Sequence, residues 1–339
     1  MKIKIGVIGA GMAWEKLHYP AVSELSDRFE IGAVCDRTKA DAQAFATKFN
    51  LPDGDVYDHH MALLARDDIT AVLVAVPIPD NFNVAADVLV AKKHLIAEKP
   101  LAATIDGAEK LVEMAKKAGV EVLVAENYRF NEENMFIKNA LKENRIGEVI
   151  YFISNNIFDF EEDMKGSSFA AKEWRQHPDY KGGSFLDGGI HDVAQMRYLF
   201  GNVKSIYATG KESNKDYCPY LSVNVHLQFE NGVTGQYCYC PNGKETVQPR
   251  VGLRIFGTGG EIYLESKQKG SFDIVLKDGA KQTVNFTPDR GYYNEWAHFY
   301  NVLSKGEQSR CSPSLELDDL KTVMDALHSI ENGKVVMID

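Results

Sequence analysis

Nearly continuous apolar runs recur through the first third of the chain, at residues 3–9 (IKIGVIG), 30–36 (EIGAVCD), 70–77 (TAVLVAVP), 93–100 (KHLIAEKP) and 120–127 (VEVLVAEN). Runs this short and apolar, each closed by Gly, Pro, Asp or Asn, suit strands of a parallel sheet covered on both faces. Between them stand helical segments at 39–49 (KADAQAFATKF), 81–93 (NFNVAADVLVAKK) and 104–119 (TIDGAEKLVEMAKKAG). The last opens on a Thr cap and closes at Gly119. This alternation predicts right-handed βαβ units and a doubly wound parallel sheet.

From about Tyr151 the pattern switches to period two, in segments 149–158, 203–212, 221–240, 250–266 and 272–286. Asn231-Gly232, Gly257–Gly260 and Asp278-Gly279 fall where hairpin turns belong. Two helical segments, 292–306 and 314–333, end the chain. The expected architecture is α/β. A dinucleotide-binding domain with the doubly wound parallel sheet takes residues 1–126. An α/β domain with a large, mostly antiparallel open sheet takes 127–339.

Composition narrows the class. The chain has 339 residues, 45% hydrophobic and 25% charged, enough for two ordinary globular cores. No stretch approaches the roughly 18 apolar residues of a membrane span. The opening MKIKIGVIG becomes a strand at once, without the layout of a secretory signal, so a cytoplasmic chain is expected. A net charge of −10 argues against a nucleic-acid partner. Cys35, Cys218, Cys238, Cys240 and Cys311 are odd in number and scattered, as in a reducing compartment. Cys238 and Cys240 share a strand face but lack further ligands at zinc spacing, and His59-His60 reads as a polar helix start; no metal site is expected.

Gly9 and Gly11 follow the first strand, where a tight turn leads into a helix N-terminus. The free N–H groups and dipole of such a terminus attract phosphate. The third glycine of the dinucleotide fingerprint should stand at position 14, but position 14 is Trp14. Either the loop stands further from the helix, or the indole covers the cofactor. Asp36 ends the second strand, 25 residues after Gly11, where an acid meets the adenosine ribose. Its charge favours NAD over NADP, although Arg37 beside it suits a 2′-phosphate. Met12, Ala13, Pro77, Asn81, Glu98 and Lys99 join these as candidate cofactor contacts at the same sheet edge.

Lys99 closes the fifth strand in the run EKP. Further on, KGGSFLDGGIHDVAQMRYLFG (181–201) crowds glycines at a helix start, where backbone can approach a ligand. Asp187 and His191 stand four apart, as on one helical face. These types suit hydride transfer at a carbinol carbon. A histidine near a helix N-terminus is biased to the neutral form and accepts the hydroxyl proton, a carboxylate orients it, and an ammonium stabilises the alkoxide. Tyr128, Arg129, Trp174 and Arg175 are candidate substrate contacts. In the long segment 160–183, Trp174 could stack on the C–H face of a polyol.

The glycine pair, Asp36, EKP, NYRF (127–130), GG…LDGGIHD (182–192) and FGTGGEIYL (256–264) occur in one order. Together they resemble the Gfo/Idh/MocA oxidoreductases, over almost the whole chain. The resemblance implies a Rossmann domain and a C-terminal domain whose open sheet forms a homodimer or homotetramer interface. It implies NAD-dependent, or alternatively NADP-dependent, oxidation or reduction of a small-molecule sugar, cyclitol or related polyol. By motif position, Lys99, Asp187 and His191 are its catalytic residues, with His191 moving the proton. Asn81 stands where many members carry histidine, and Ala194 where an acid is common. The alternatives are an NADP-dependent keto-sugar or dicarbonyl reductase and a non-catalytic dinucleotide sensor.

Overall fold

The computed structural model describes residues 2–49 and 51–338. The chain forms two compact units. The first runs to Asn127 and takes back Gly291–Asp318; the second comprises Tyr128–Arg290 and the chain from Asp319 onward.

In the first unit, strands β1 (Ile3–Ile8), β2 (Phe29–Cys35), β3 (Val56–Tyr57), β4 (Ala71–Val74), β5 (His94–Glu98) and β6 (Val122–Ala125) form one sheet. All pairs are parallel, in the order β3-β2-β1-β4-β5-β6. The crossovers are helices α1 (Tyr19–Glu24), α2 (Lys39–Lys48), α3 (His60–Leu64), α4 (Ile78–Val90) and α5 (Ile105–Ala118). Strand order reverses between β1 and β4, the place where doubly wound sheets open a ligand crevice at their carboxyl edge. Local chemistry follows the sequence: the Thr104 hydroxyl accepts the Gly107 N–H at 3.1 Å, and α5 stops at Gly119 with φ +67°. Only β3 escapes the periodicity, because two residues are too few to show one.

The second unit opens with α6 (Glu132–Lys142), β7 (Val149–Ile157), three short helices α7 (Phe160–Asp163), α8 (Glu173–Gln176) and α9 (Ser184–Asp187), and then α10 (Gly189–Phe200). Strands β8 (Val203–Lys215), β9 (Cys218–Phe229), β10 (Thr234–Cys240), β11 (Leu253–Gly257), β12 (Gly260–Leu264), β13 (Ser271–Leu276) and β14 (Lys281–Asn285) follow. The expected hairpins form, with Gly232 at φ +88° and Gly279 at φ +86°.

Helix α11 (Gly291–Lys305) returns to the first unit, where Trp296, Phe299 and Val302 are buried. Trp296 meets Phe29 edge-on at 5.0 Å. Further along, the Cys311 carbonyl accepts the Val124 N–H at 3.0 Å. The units therefore do not follow a single cut at residue 126, because this late apolar helix belongs to the parallel sheet. Helix α12 (Pro313–Asn332) and β15 (Val336–Met337) end the described chain. With β15, the second sheet has nine strands, in the order β14-β13-β12-β11-β7-β10-β9-β8-β15, antiparallel except for β7 with β10. No helix among the described residues is long and apolar enough to cross a membrane.

Candidate functional site

The carboxyl edge of the parallel sheet gathers Gly9 after β1, Asp36 after β2, Pro77 at the N-cap of α4 and Lys99 after β5. Gly9 has φ +98°, and a Cβ there would lie 2.3 Å from the Ala75 carbonyl oxygen, so only glycine fits. A Cβ on Gly11 would meet nothing within 4 Å, so this side of the loop is open. The Asp36 carboxylate accepts the Ala10 N–H and the Thr38 N–H, each at 2.9 Å, and so fixes the loop against the end of β2. Arg37 pairs with Asp80 at 3.3 Å on the surface. An open glycine turn, an acid at the second strand and a helix start carrying Met12 and Ala13 together fit a dinucleotide.

Trp14 resolves the two alternatives set by its position. Its side chain is fully buried, 5.8 Å from Tyr19, 5.4 Å from Phe45 and 6.4 Å from Phe49, so the indole packs into the core and does not cover a cofactor. The helix adapts locally. Residues Trp14–His18 form a π-helical turn, with the Tyr19 N–H reaching the Trp14 carbonyl, before α1 continues. Such widened turns admit bulk that a regular turn would not.

The EKP turn is held from several directions. Asn81, in the first turns of α4, donates its amide to the Glu98 carbonyl at 3.2 Å and the Pro100 carbonyl at 2.9 Å. It is 1% exposed, so this side chain braces the turn instead of contacting a cofactor. The Glu98 carboxylate accepts the Lys99 N–H at 3.1 Å and lies 2.8 Å from His18 Nε2. The lysine backbone is thus fixed on both sides of its Cα.

In the second unit, His191 stands in the first turn of α10, half-buried, its ring stacked on Tyr128 at 4.7 Å and 19°. Asp187 ends α9, and its carboxylate carries Arg175, with Nε–Oδ2 at 2.6 Å. Arg175 also lies 4.3 Å over the Trp174 ring. Arg175 therefore reaches the site as the partner of Asp187, a pairing that sequence spacing could not show. Burial, reinforced by the charge of Asp187, holds the nearby Tyr180 phenol well above its ordinary value and so protonated. Lys267 lies 5.2 Å over the Tyr128 ring.

Two expectations are corrected here. Arg129 is 4% exposed and forms a buried ion pair with Asp319, which Arg197 also holds, so its guanidinium is structural. The glycines before α10 make room for the protein itself. A Cβ on Gly183 would strike the Tyr217 carbonyl oxygen at 2.5 Å, and one on Gly188 the Tyr239 hydroxyl at 2.7 Å.

The strand tyrosines are the residues that sequence reasoning missed. Tyr239 donates to the Ser184 carbonyl at 2.7 Å, and Tyr237 to the Asp192 carboxylate at 2.6 Å, where Asn156 also donates at 2.7 Å. Burial raises Asp192 above the usual carboxylate range despite these donors. In the QYCYC run the period-two signal was present. The chemistry of that segment lies with the tyrosines that alternate with the cysteines.

These features define a two-unit oxidoreductase with a dinucleotide-binding first unit. Residues 3–126 match the oxidoreductase family with an NAD-binding Rossmann fold, and 135–263 match the GFO/IDH/MocA C-terminal domain. The chain belongs to the Gfo/Idh/MocA oxidoreductases. It is 30% identical over 348 residues to a dehydrogenase of Fusarium mangiferae, covering 96% of each chain. It is 27% identical over 345 residues to the D-xylose 1-dehydrogenase (NADP(+)) 2 of Haloferax volcanii, covering 98% of this chain and 99% of that one. A solved oxidoreductase from Thermotoga maritima superposes with a TM-score of 0.86 at 28% identity, covering 99% of this chain and 98% of that one.

Proposed function

We propose that the protein transfers hydride between NAD and a carbinol or carbonyl carbon of a sugar, cyclitol or related polyol, with His191 as the acid/base. The observation that carries this reading is His191 itself: half-buried in the first turn of α10, with its ring oriented by Tyr128. In that position the ring can accept the hydroxyl proton. Asp187, tied to Arg175, supports the cation formed on transfer. Lys99, with its backbone clamped, offers an ammonium to the developing alkoxide. Gly9, Gly11, Met12, Ala13, Asp36, Arg37 and Pro77 would hold the cofactor, which when bound supplies the hydride acceptor. NAD is favoured over NADP because the Asp36 carboxylate would repel a 2′-phosphate, and Arg37 is drawn towards Asp80. Trp174 and Tyr128 are the substrate-facing aromatics of this reading.

The test is nicotinamide absorbance with NAD and NADP, each offered D-xylose, other aldoses, cyclitols and sugar acids. Turnover of one compound, lost roughly 100-fold or more in His191→Ala, supports both reaction class and base. Tight NADH binding with no turnover of any compound overturns the sugar reading in favour of a sensor. The nine-stranded sheet is proposed as the contact between copies, since Tyr207 and Met337 on its strands are exposed; light scattering would show a dimer or tetramer.

A further inference from the structure

Behind the Lys99 turn, entirely within the first unit, lies a buried polar cluster that hydride transfer leaves without a task. His18, Trp296, Glu126 and Glu295 are all 0% exposed, and Glu98 is 8% exposed. Trp296 Nε1 lies 3.0 Å from His18 Nδ1. An indole N–H only donates, so Nδ1 carries the lone pair and the ring proton sits on Nε2. Nε2 then donates to Glu98 Oε1 at 2.8 Å, while Glu98 Oε2 accepts the Lys99 N–H at 3.1 Å. One carboxylate thereby links a histidine of fixed tautomer to the backbone of the lysine. Tyr292 and Trp296 meet the His18 ring edge-on at 5.1 and 6.0 Å, so the ring cannot turn without displacing an aromatic.

Glu295, one residue before Trp296 on α11, lies within electrostatic range of Glu98 and Glu126. Neither of its oxygens has a hydrogen-bond partner among the described residues. Burial, reinforced by the two neighbouring carboxyl groups, holds it well above the usual carboxylate range. In its neutral form it adds no second charge beside Glu98.

We propose that His18, fixed by Trp296, and the buried Glu295 are positioning residues that keep Glu98 as the clamp on the Lys99 backbone. The proposal rests on the reading of Lys99 given above. It also gives α11 a role in the site, since Glu295 and Trp296 both come from that helix.

Nitrogen-15 NMR of the ligand-free protein with labelled histidine and backbone tests it. The expected His18 signal is that of the Nε2–H tautomer. Trp296→Phe keeps a ring but removes the indole proton, so the His18 tautomer should change, and the Lys99 amide signal should move. Glu295→Gln imitates the neutral acid and should leave both signals in place. A His18 cation at neutral pH in the wild type, or a Lys99 amide unmoved in Trp296→Phe, overturns the proposal. So does a changed Lys99 signal in Glu295→Gln.

Kinetics separate this proposal from the reading it rests on, using the first sugar of the panel that the wild type oxidises. Trp296→Phe should lower kcat about tenfold with KM changed less than about twofold, because misplacement acts on the transition state. Lys99→Met losing turnover while Trp296→Phe retains it overturns the positioning role alone. Full turnover in Lys99→Met overturns the reading of Lys99, and the proposal with it.

Discussion

His18 closes the π-helical turn before α1 and His191 stands in the first turn of α10, each with an aromatic ring against it, yet their settings are opposite. His18 is wholly buried, with Trp296 on one ring nitrogen and Glu98 on the other. His191 is half-buried and oriented by a stacked ring. A histidine with a fixed partner on each nitrogen and aromatic rings against it acts as scaffold, whereas one that is only half-buried at a helix start keeps an open face.

Exchanging the two roles by mutation tests the contrast. His191→Ala should cost roughly a hundredfold or more in kcat while leaving the melting temperature within about 2 °C, since it removes a half-exposed side chain. Near-normal turnover would end the distinction. Trp14→Ala acts at the other extreme. It empties a fully buried site between Tyr19, Phe45 and Phe49 and should destabilise the first unit by about 3–5 kcal/mol in denaturant unfolding.

Buried carboxyl groups sharpen the comparison, because each unit holds some that burial pushes above the ordinary carboxylate range. In the second unit, burial pushes Glu133 up to about 7 from an ordinary 4.5. The folded state then binds a proton that the unfolded state releases. The associated stability is fully present below about pH 4.5 and is lost as pH rises through 7, about 3 kcal/mol in all. Unfolding free energies at pH 5 and pH 8 should show this slope, and Glu133→Gln should flatten it. The smallest effect belongs to Arg175→Met. Releasing Asp187 should lower kcat/KM about tenfold, and Arg175→Lys should recover only part, because lysine lacks the flat fork that both pairs and stacks.

Much of the fold was written in local pattern. The parallel strands read as apolar runs, and the hairpins were marked by Asn-Gly and Asp-Gly. The positions of Gly9, Asp36 and Lys99 also followed from where strands end, whereas Asp187 and His191, expected on one helical face, fall on the separate helices α9 and α10. What stayed hidden depends on partners distant in the chain. Arg129 and Arg175 look alike in sequence, but one meets buried Asp319 and the other Asp187. The glycines around Asp187 resemble a ligand cradle until Tyr217 and Tyr239 are seen against them. His18 carried no signal of its own, since its meaning comes from a tryptophan 278 positions later.

That late tryptophan bears on the order in which the molecule is completed. A ribosome releases all six parallel strands long before it reaches Trp296 and Cys311, whose side chain and carbonyl finish the same unit. The nascent dinucleotide-binding half must therefore wait, with the side of its sheet around Phe29 and Val124 uncovered, until residues 128–290 have been made. A chain stopped at residue 290 would lack that cover and offer the surface to chaperones. Synthesis of residues 128–290 of the second unit thus precedes completion of the first, although the first begins earlier.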